Sequence, residues 1–356
     1  MQSKTSQYDS VDVLVVGAGP AGSSAARAAA EAGATVLMIE KRARIGEPVR
    51  CAEYIPRLLA QQVKVPREVI AQETDGIMTV MPDGKLLRKT APGFILNRGK
   101  FDQALAAQAE MAGARIHTAT RAVSMAGRRV MTMGPSGGEE IRAKVIVGAD
   151  GPDSTVGTWI GQKNKKVMWA VQQTVALKQP VHDTEVYFAR EYPGGYAWLF
   201  PKGELANVGV GVQRELGGIP KVAFKAFREK IKDRIGELAS VTAGLIPVGG
   251  PLPSVDEKAG IILVGDAAGH THAITGGGIP QAVLCGTMAG SSAAEAANGN
   301  RGAFRNYVFQ WKKAFGASMD KAAQKRQALE TGWDGEDLEG LVRRCWITCE
   351  EYYREP

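Results

Sequence analysis

The sequence predicts an α/β fold: a parallel sheet interrupted by an inserted, mainly antiparallel sheet and followed by a short helical C-terminal tail. Three observations carry this. Residues 11–40 read as strand, glycine turn, helix and second strand. Residues 144–149 and 260–269 hold further apolar runs, each leading into an acid and small residues. Residues 167–213 break instead into short period-2 or apolar runs separated by Pro and Gly, the pattern of about four antiparallel strands.

The run at 11–16 is apolar but for Asp12, as a strand buried on both faces would be. Gly17, Gly19 and Gly22 follow as G-x-G-x-x-G. Gly17 permits the tight turn, Gly19 lets the backbone approach a pyrophosphate, and Gly22 lets helix and strand pack closely. Pro20 and Ala21 open a helix whose N-terminus offers unpaired N–H groups to phosphate. The Ala-rich helix runs to about residue 32 and stops at Gly33. The second strand ends at Glu40, followed by Lys41, where a carboxylate can accept hydrogen bonds from both hydroxyls of an adenosine ribose. All five parts at these offsets predict a dinucleotide site rather than a plain glycine-rich turn.

Further along, residues 41–56 read as a loop and 57–72 as a helix. Residues 76–90 alternate around Asp83-Gly84, a hairpin belonging to the second sheet. Asn97-Arg98 open a helix to about residue 112. Strands follow at 114–125 and 128–134, with a turn at Gly127. Residues 220–239 read as one helix, 276–297 as a long helix of small residues, and 301–354 as two or three helical pieces. The expected partition is discontinuous: 1–75, 95–165 and 255–300 bind the nucleotide, 76–94 and 166–254 form the substrate domain, and 301–356 form the tail.

The 356 residues suffice for two domains. The composition, 44% hydrophobic and 23% charged, is that of an ordinary globular protein. The net charge of +7 suits either a bound polyanionic cofactor or an anionic surface. No aromatic-interleaved basic patch appears, so nucleic acid is not an expected partner. No run of about 18 apolar residues exists to span a membrane. Residues 1–10 are polar, unlike a signal peptide. Four cysteines without disulfide-framework spacing make a reducing cytoplasm the expected location. The basic tail suits a solvated helix face, or at most peripheral membrane contact. Oligomeric state is not legible.

Two later motifs discriminate between dinucleotides: Gly148-Ala149-Asp150-Gly151 and Gly265-Asp266-Ala267-Ala268-Gly269. An acid at a strand's C-terminal end can hold a ribityl hydroxyl while the adjacent backbone closes on phosphate. Gly276-Gly277-Gly278-Ile279 then open a helix whose N-terminal charge would favour an anion. With the first motif, this order resembles the flavoprotein superfamily that includes hydroxybenzoate hydroxylase. The resemblance implies a Rossmann-like FAD-binding domain, with Arg98 near the cofactor.

Two segments narrow the resemblance. One is Gly46-Glu47-Pro48-Val49-Arg50-Cys51-Ala52-Glu53; the other, residues 193–201, reads P-x-x-Y-x-W-x-F-P. Period 2 puts Tyr196, Trp198 and Phe200 on one face. By spacing alone that is more often ordinary core packing than a cavity wall. Cys51 alone is more often an inert small hydrophobe, though Arg50 beside it could lower its pKa. Together the segments resemble the geranylgeranyl reductase family, FAD-dependent oxidoreductases that saturate prenyl double bonds; the second also echoes flavin-dependent halogenases.

The family resemblance implies hydride transfer from flavin N5 to an alkene, with Cys51, Tyr196 and Trp198 catalytic. It puts Arg50, Cys51 and Ala52 beside the flavin. Tyr196, Trp198, Phe200 and His272 would line the substrate cavity. It implies a small-molecule or lipid substrate, and NAD(P)H or reduced ferredoxin as donor, since no second G-x-G-x-x-G follows a strand. The sequence departs from the family at Ala52 and Tyr54, at His272-Ala273 where Asn-Pro is usual, and in its short tail. His270 and His272 are candidates for local proton chemistry. Cys345-x-x-x-Cys349 would share a helix face as free thiols or a redox pair, a poor zinc site without histidines. Competing readings are redox service to a sulfur-containing or lipoyl-type group, a monooxygenase or halogenase, and a non-catalytic flavin-binding subunit.

Overall fold

Strand β1 (Ser10–Val16) is buried along nearly its whole length, and such a strand needs cover on both faces. In the computed structural model, which describes residues 10–354, that cover comes from segments far apart in the chain. β1 leads through α1 (Pro20–Glu31) to β2 (Val36–Ile39), and a long loop follows to β3 (Tyr54–Pro56) and the short α2 (Arg57–Gln62). The hairpin β4 (Ile70–Val80) and β5 (Leu86–Leu96) precedes α3 (Arg98–Met111). Then come β6 (Arg115–His117), β7 (Arg121–Ala126), β8 (Arg129–Gly134), β9 (Gly137–Gly148) and α4 (Thr155–Trp159). β10 (Val167–Leu177), β11 (Thr184–Tyr187), β12 (Tyr196–Lys202) and β13 (Leu205–Val212) lead to α5 (Pro220–Ile231) and β14 (Ile235–Pro247). The remaining elements are β15 (Val255–Asp256), β16 (Ile261–Leu263), α6 (Ile279–Ala297), α7 (Gly302–Trp311), α8 (Ala317–Gly332) and α9 (Leu338–Cys345).

The first sheet has the order β15-β16-β9-β1-β2-β6, with the β7–β8 hairpin attached to β9. β1 pairs in parallel with β2 and β9, so Val13 lies between Val36 and Val145. Alternation divides its residues between two cores. Val13, Val15, Met38 and Val147 pack with the alanines of α1 and α6 and with Tyr307 and Trp311 of α7. Leu14, Val16, Leu37 and Ile146 pack on the other face. α6 lies unusually close to α1: a Cβ at Gly286 would stand 2.4 Å from the Ala21 carbonyl oxygen, and one at Gly290 2.1 Å from that of Ala25.

The second sheet has the order β14-β10-β13-β12-β11-β4-β5-β3 and is antiparallel except where β11 meets β4. This is the mainly antiparallel sheet expected. The four strands expected within 167–213 are its centre, and residues 54–56, 70–75 and 235–247 also join it. α5 covers one face, with Phe224 and Phe227 on Val208 and Val210. The other face carries Tyr196 and Trp198. The tail packs there, burying Leu329, Trp333, Val342 and Trp346 in the same core.

Three expectations need correction. The helix expected over 57–72 ends at Gln62, and β4 already begins at Ile70. Pro66 lacks the N–H a continuing helix requires, and Lys64 before it takes φ +52°. The helix expected over 220–239 stops at Ile231, and residues 235–247 form β14 along β10. Here sheet pairing overrides the helical propensity of Glu237, Leu238 and Ala239. Cys345 ends α9 and Cys349 lies beyond it, so the two do not share a helix face; both are buried free thiols. The reading of residues 1–10 as a polar segment unlike a signal peptide falls almost wholly outside the described residues. No described helix is long and apolar enough to cross a membrane.

Candidate active site

The turn after β1 is held from three sides. Gly17 takes φ +104°, and a Cβ there would stand 2.4 Å from the Ala149 carbonyl oxygen. A Cβ at Gly22 would stand 1.8 Å from the Gly17 oxygen, whereas one at Gly19 meets nothing within 4 Å. Gly17 and Gly22 thus serve strand–helix packing, and Gly19 keeps open the space in front of the turn. The Glu40 carboxylate braces it, accepting from Ala18 N–H at 3.0 Å and Arg42 N–H at 2.9 Å.

That space is one cavity of about 1120 Å³. It is lined by Gly19, Pro20, Ala21, Arg50, Cys51, Ala52, Arg98, Gly265, Asp266, His272, Gly276, Gly277, Gly278 and Ile279, and also by Tyr196, Trp198 and Phe200. Gly17, Gly22, Glu40, Lys41 and Asp150 do not line it. Asp150 is used locally: it accepts from Ser154 Oγ, Thr155 N–H and Val156 N–H, capping α4.

Both long helices that begin at the cavity do so without a side-chain cap, α1 at Gly19 and α6 at Gly278. Their first N–H groups and macrodipoles face the same space, an arrangement that favours a polyanion. Asp266 is half-buried at its edge. One oxygen accepts from Thr271 Oγ1 at 2.8 Å, and burial raises its pKa. An open glycine turn, two uncapped helix N-termini and an acid at the end of β16 fit the pyrophosphate and ribityl groups of FAD.

The Cys51 loop is tied down by a residue not singled out from sequence. Glu53 is 1% exposed. It accepts from Arg98 N–H at 2.8 Å, Asn207 Nδ2 at 2.7 Å and Lys202 Nζ at 2.5 Å. It thereby joins the loop to α3 and to β12 and β13. Burial raises the Cys51 thiol pKa, with Arg98 rather than Arg50 pulling the other way. Glu53 N–H donates to Cys51 Sγ at 3.2 Å. Arg98 itself is clamped by both oxygens of Asp102.

Beyond Cys51 the cavity wall is the second sheet. Gln172 donates to the Cys51 carbonyl at 3.0 Å and accepts from Trp198 Nε1 at 3.0 Å. Trp198 lies over Gly209, where a Cβ would stand 2.3 Å from the indole. Tyr196 donates to the Thr275 carbonyl at 2.5 Å, linking the aromatic wall to the glycine run before α6. Burial puts its phenol at about 12. His272 is lowered to about 4 by burial and then by Arg326, and Nδ1 accepts from Thr275 N–H at 3.3 Å. His270 lies off the cavity against Trp311, lowered by burial to about 3. Of the residues missed, Lys202 directly follows the aromatic motif, a signal that was available. Trp346 and Ile347, which also line the cavity, sit in a charged tail that offered none.

A parallel sheet presenting two bare helix N-termini to one glycine-lined cavity, with a second sheet as its far wall, defines a dinucleotide-binding flavoprotein. Comparison narrows this: the chain belongs to the geranylgeranyl reductase family of FAD-dependent oxidoreductases, and the FAD binding domain family matches residues 10–235. A geranylgeranyl bacteriochlorophyll reductase-like protein from Thermoplasma acidophilum superposes with TM-score 0.84 at 30% identity, covering 96% of this chain and 92% of that one. The digeranylgeranylglycerophospholipid reductase of Methanosarcina acetivorans is 41% identical over 57% of this chain and 55% of the relative. That of Methanocaldococcus jannaschii is 40% identical over 58% and 56%. The chain spans little more than half the length of these curated relatives. A flavin-dependent brominase, 16% identical with TM-score 0.72 and covering 94% and 93%, shares the fold.

Proposed function

We propose that this chain is an FAD-dependent reductase that saturates carbon–carbon double bonds of a prenyl-type lipid chain. The observation that carries the reading is that one cavity holds both the glycine turns suited to FAD and an aromatic, largely apolar wall suited to an alkene. The names of the relatives, digeranylgeranylglycerophospholipid reductases, support the substrate class. Bound FAD, once reduced by NAD(P)H or a reduced ferredoxin, would supply the hydride.

The chain's residues supply position and a proton. Tyr196, Trp198 and Phe200 hold the apolar chain and exclude water. Cys51 Sγ is the proton source: its raised pKa keeps the thiol protonated at neutral pH. Cys51 Sγ would give its proton to the alkene carbon that does not take the hydride FAD would supply. The thiolate left behind is stabilised by Glu53 N–H and the Arg98 charge, then reprotonated from solvent. His272 is neutral at pH 7 and accepts a hydrogen bond, which suits holding the loop ahead of α6. The buried Cys345 and Cys349 offer no accessible thiol for exchange with a sulfur-containing substrate.

The test is anaerobic mixing of dithionite-reduced protein with geranylgeranyl lipid, following flavin absorbance and product mass. Reoxidation with a saturated product is expected, slowed about 10²-fold or more in Cys51→Ala. Absence of reoxidation with any prenyl substrate would remove the lipid assignment and leave FAD binding intact.

A further inference from the structure

At α2 the cavity reaches solvent, for Leu58 lines it and is 69% exposed. Over β11 and β4 the wall is different, because the tail closes it. Trp198, Val186 and Thr79 are successive cross-strand partners and form one row of that face. The Trp346 indole lies on the row, donating from Nε1 to Thr79 Oγ1 at 2.9 Å. Its ring centroid is 5.6 Å from that of Tyr196 and 5.1 Å from that of Phe188. Thr348 Oγ1 also meets Thr79 Oγ1, at 3.1 Å, fixing the turn that carries the indole.

Trp346 has space on both sides. One side lines the large cavity. The other lines a void of about 10 Å³ bounded by Phe188, Tyr196, Ile274, Leu329, Val342 and Cys345, with the Arg326 side chain at its rim. The indole therefore stands with Tyr196 between the two spaces, held at its edge by the hydrogen bond to Thr79 and flanked by the rings of Tyr196 at 52° and Phe188 at 70°. An indole whose N–H is already taken up by Thr79 reads the end of an apolar chain by length, since it offers no free polar group to recognise chemistry.

We propose that Trp346 is a specificity-determining residue, the end-stop that sets how long an apolar chain the cavity accepts. The proposal rests on the prenyl reading for the identity of that chain. Ile347 beside it completes the stop, and Thr79 holds the indole in register.

The experiment is calorimetric binding of geraniol, farnesol, geranylgeraniol and the next longer prenyl alcohol to the FAD-loaded protein, with product mass measured after reduction. In the wild type, affinity rises with each isoprene unit and then stops rising. Trp346→Ala moves that stop at least one unit outward and tightens the next longer alcohol by about tenfold or more, leaving shorter ones unchanged. Trp346→Phe, which keeps a ring in the core, moves it partway and decides the matter if the alanine variant does not fold. An unchanged stop in the phenylalanine variant, or equal weakening at every length, overturns the proposal. Absence of any length limit in the wild type also overturns it. A clear limit with no saturated product from any alcohol leaves the end-stop standing and removes the prenyl reductase reading.

Discussion

Glu53 shows how much a single buried carboxylate can organise. It takes φ +73°, a left-handed conformation that glycine adopts more easily, and puts its side chain where three donors converge. Its partner Lys202 is 20% exposed and Glu53 is 2% exposed at the side chain, so the carboxylate is cut off from water and depends on its protein partners. Glu53→Ala should destabilise the protein by about 3–5 kcal/mol, because it leaves Lys202 uncompensated. Urea unfolding would measure this, and adding Lys202→Met should recover part of the loss. An unchanged midpoint in the single variant would show that the pair is not what holds the loop. The charge pair was not legible in sequence, where Glu53 reads only as a member of the Cys51 run.

Close approach dominates at the scale of elements. α1 and α6 touch where glycine leaves backbone against backbone, and β13 yields at Gly209 to the Trp198 indole. Gly290→Ala should cost about 1–3 kcal/mol by overpacking and lower the melting temperature, with FAD content falling alongside. Gly209→Ala should act differently. Its methyl displaces the indole from the cavity wall, so prenyl alcohol affinity falls while FAD content holds. Equal loss of FAD in the two variants would contradict that division of labour between the sheets. The G-x-G-x-x-G turn, the strand–helix alternation and the Asp83-Gly84 hairpin were all legible, since each is encoded within a few residues. The ends of α2 and α5 were not. Pro66 and the pairing of β14 on β10 decide them, against a helical local pattern.

At the scale of the whole molecule, the tail is part of the core. Arg326, 1% exposed, donates to the carbonyls of Ala273 and Gly194, tying α8 both to the loop before α6 and to the turn before β12. The histidines add a pH dependence to this assembly. His270 and His272 are held neutral, with pKa lowered to about 3 and about 4 by burial. In the unfolded chain both titrate near 6.5. Below that pH the unfolded state binds protons that the folded state refuses. Their contribution is therefore complete above about pH 6.5 and declines as pH falls toward 4. Each should give a slope of up to about 1.4 kcal/mol per pH unit in that window. Urea unfolding between pH 7 and 4 should show a shallower decline in His270→Phe than in the wild type. Identical slopes would mean that His270 takes up its proton in the folded state.

What the sequence by itself determined is whatever local pattern encodes: the buried central strand, the three glycine-and-acid turns, the helix starts and the one-sided aromatic strand. Hydrophobic period and turn chemistry act over a handful of residues, so they survive without knowledge of the fold. Only the tertiary structure decided which charges meet and what closes the cavity. Glu53 and Lys202 lie 149 residues apart, and Thr79 and Trp346 lie 267 apart. No local pattern carries such a pairing, because the free energy that brings the partners together comes from packing two sheets and a tail around one core.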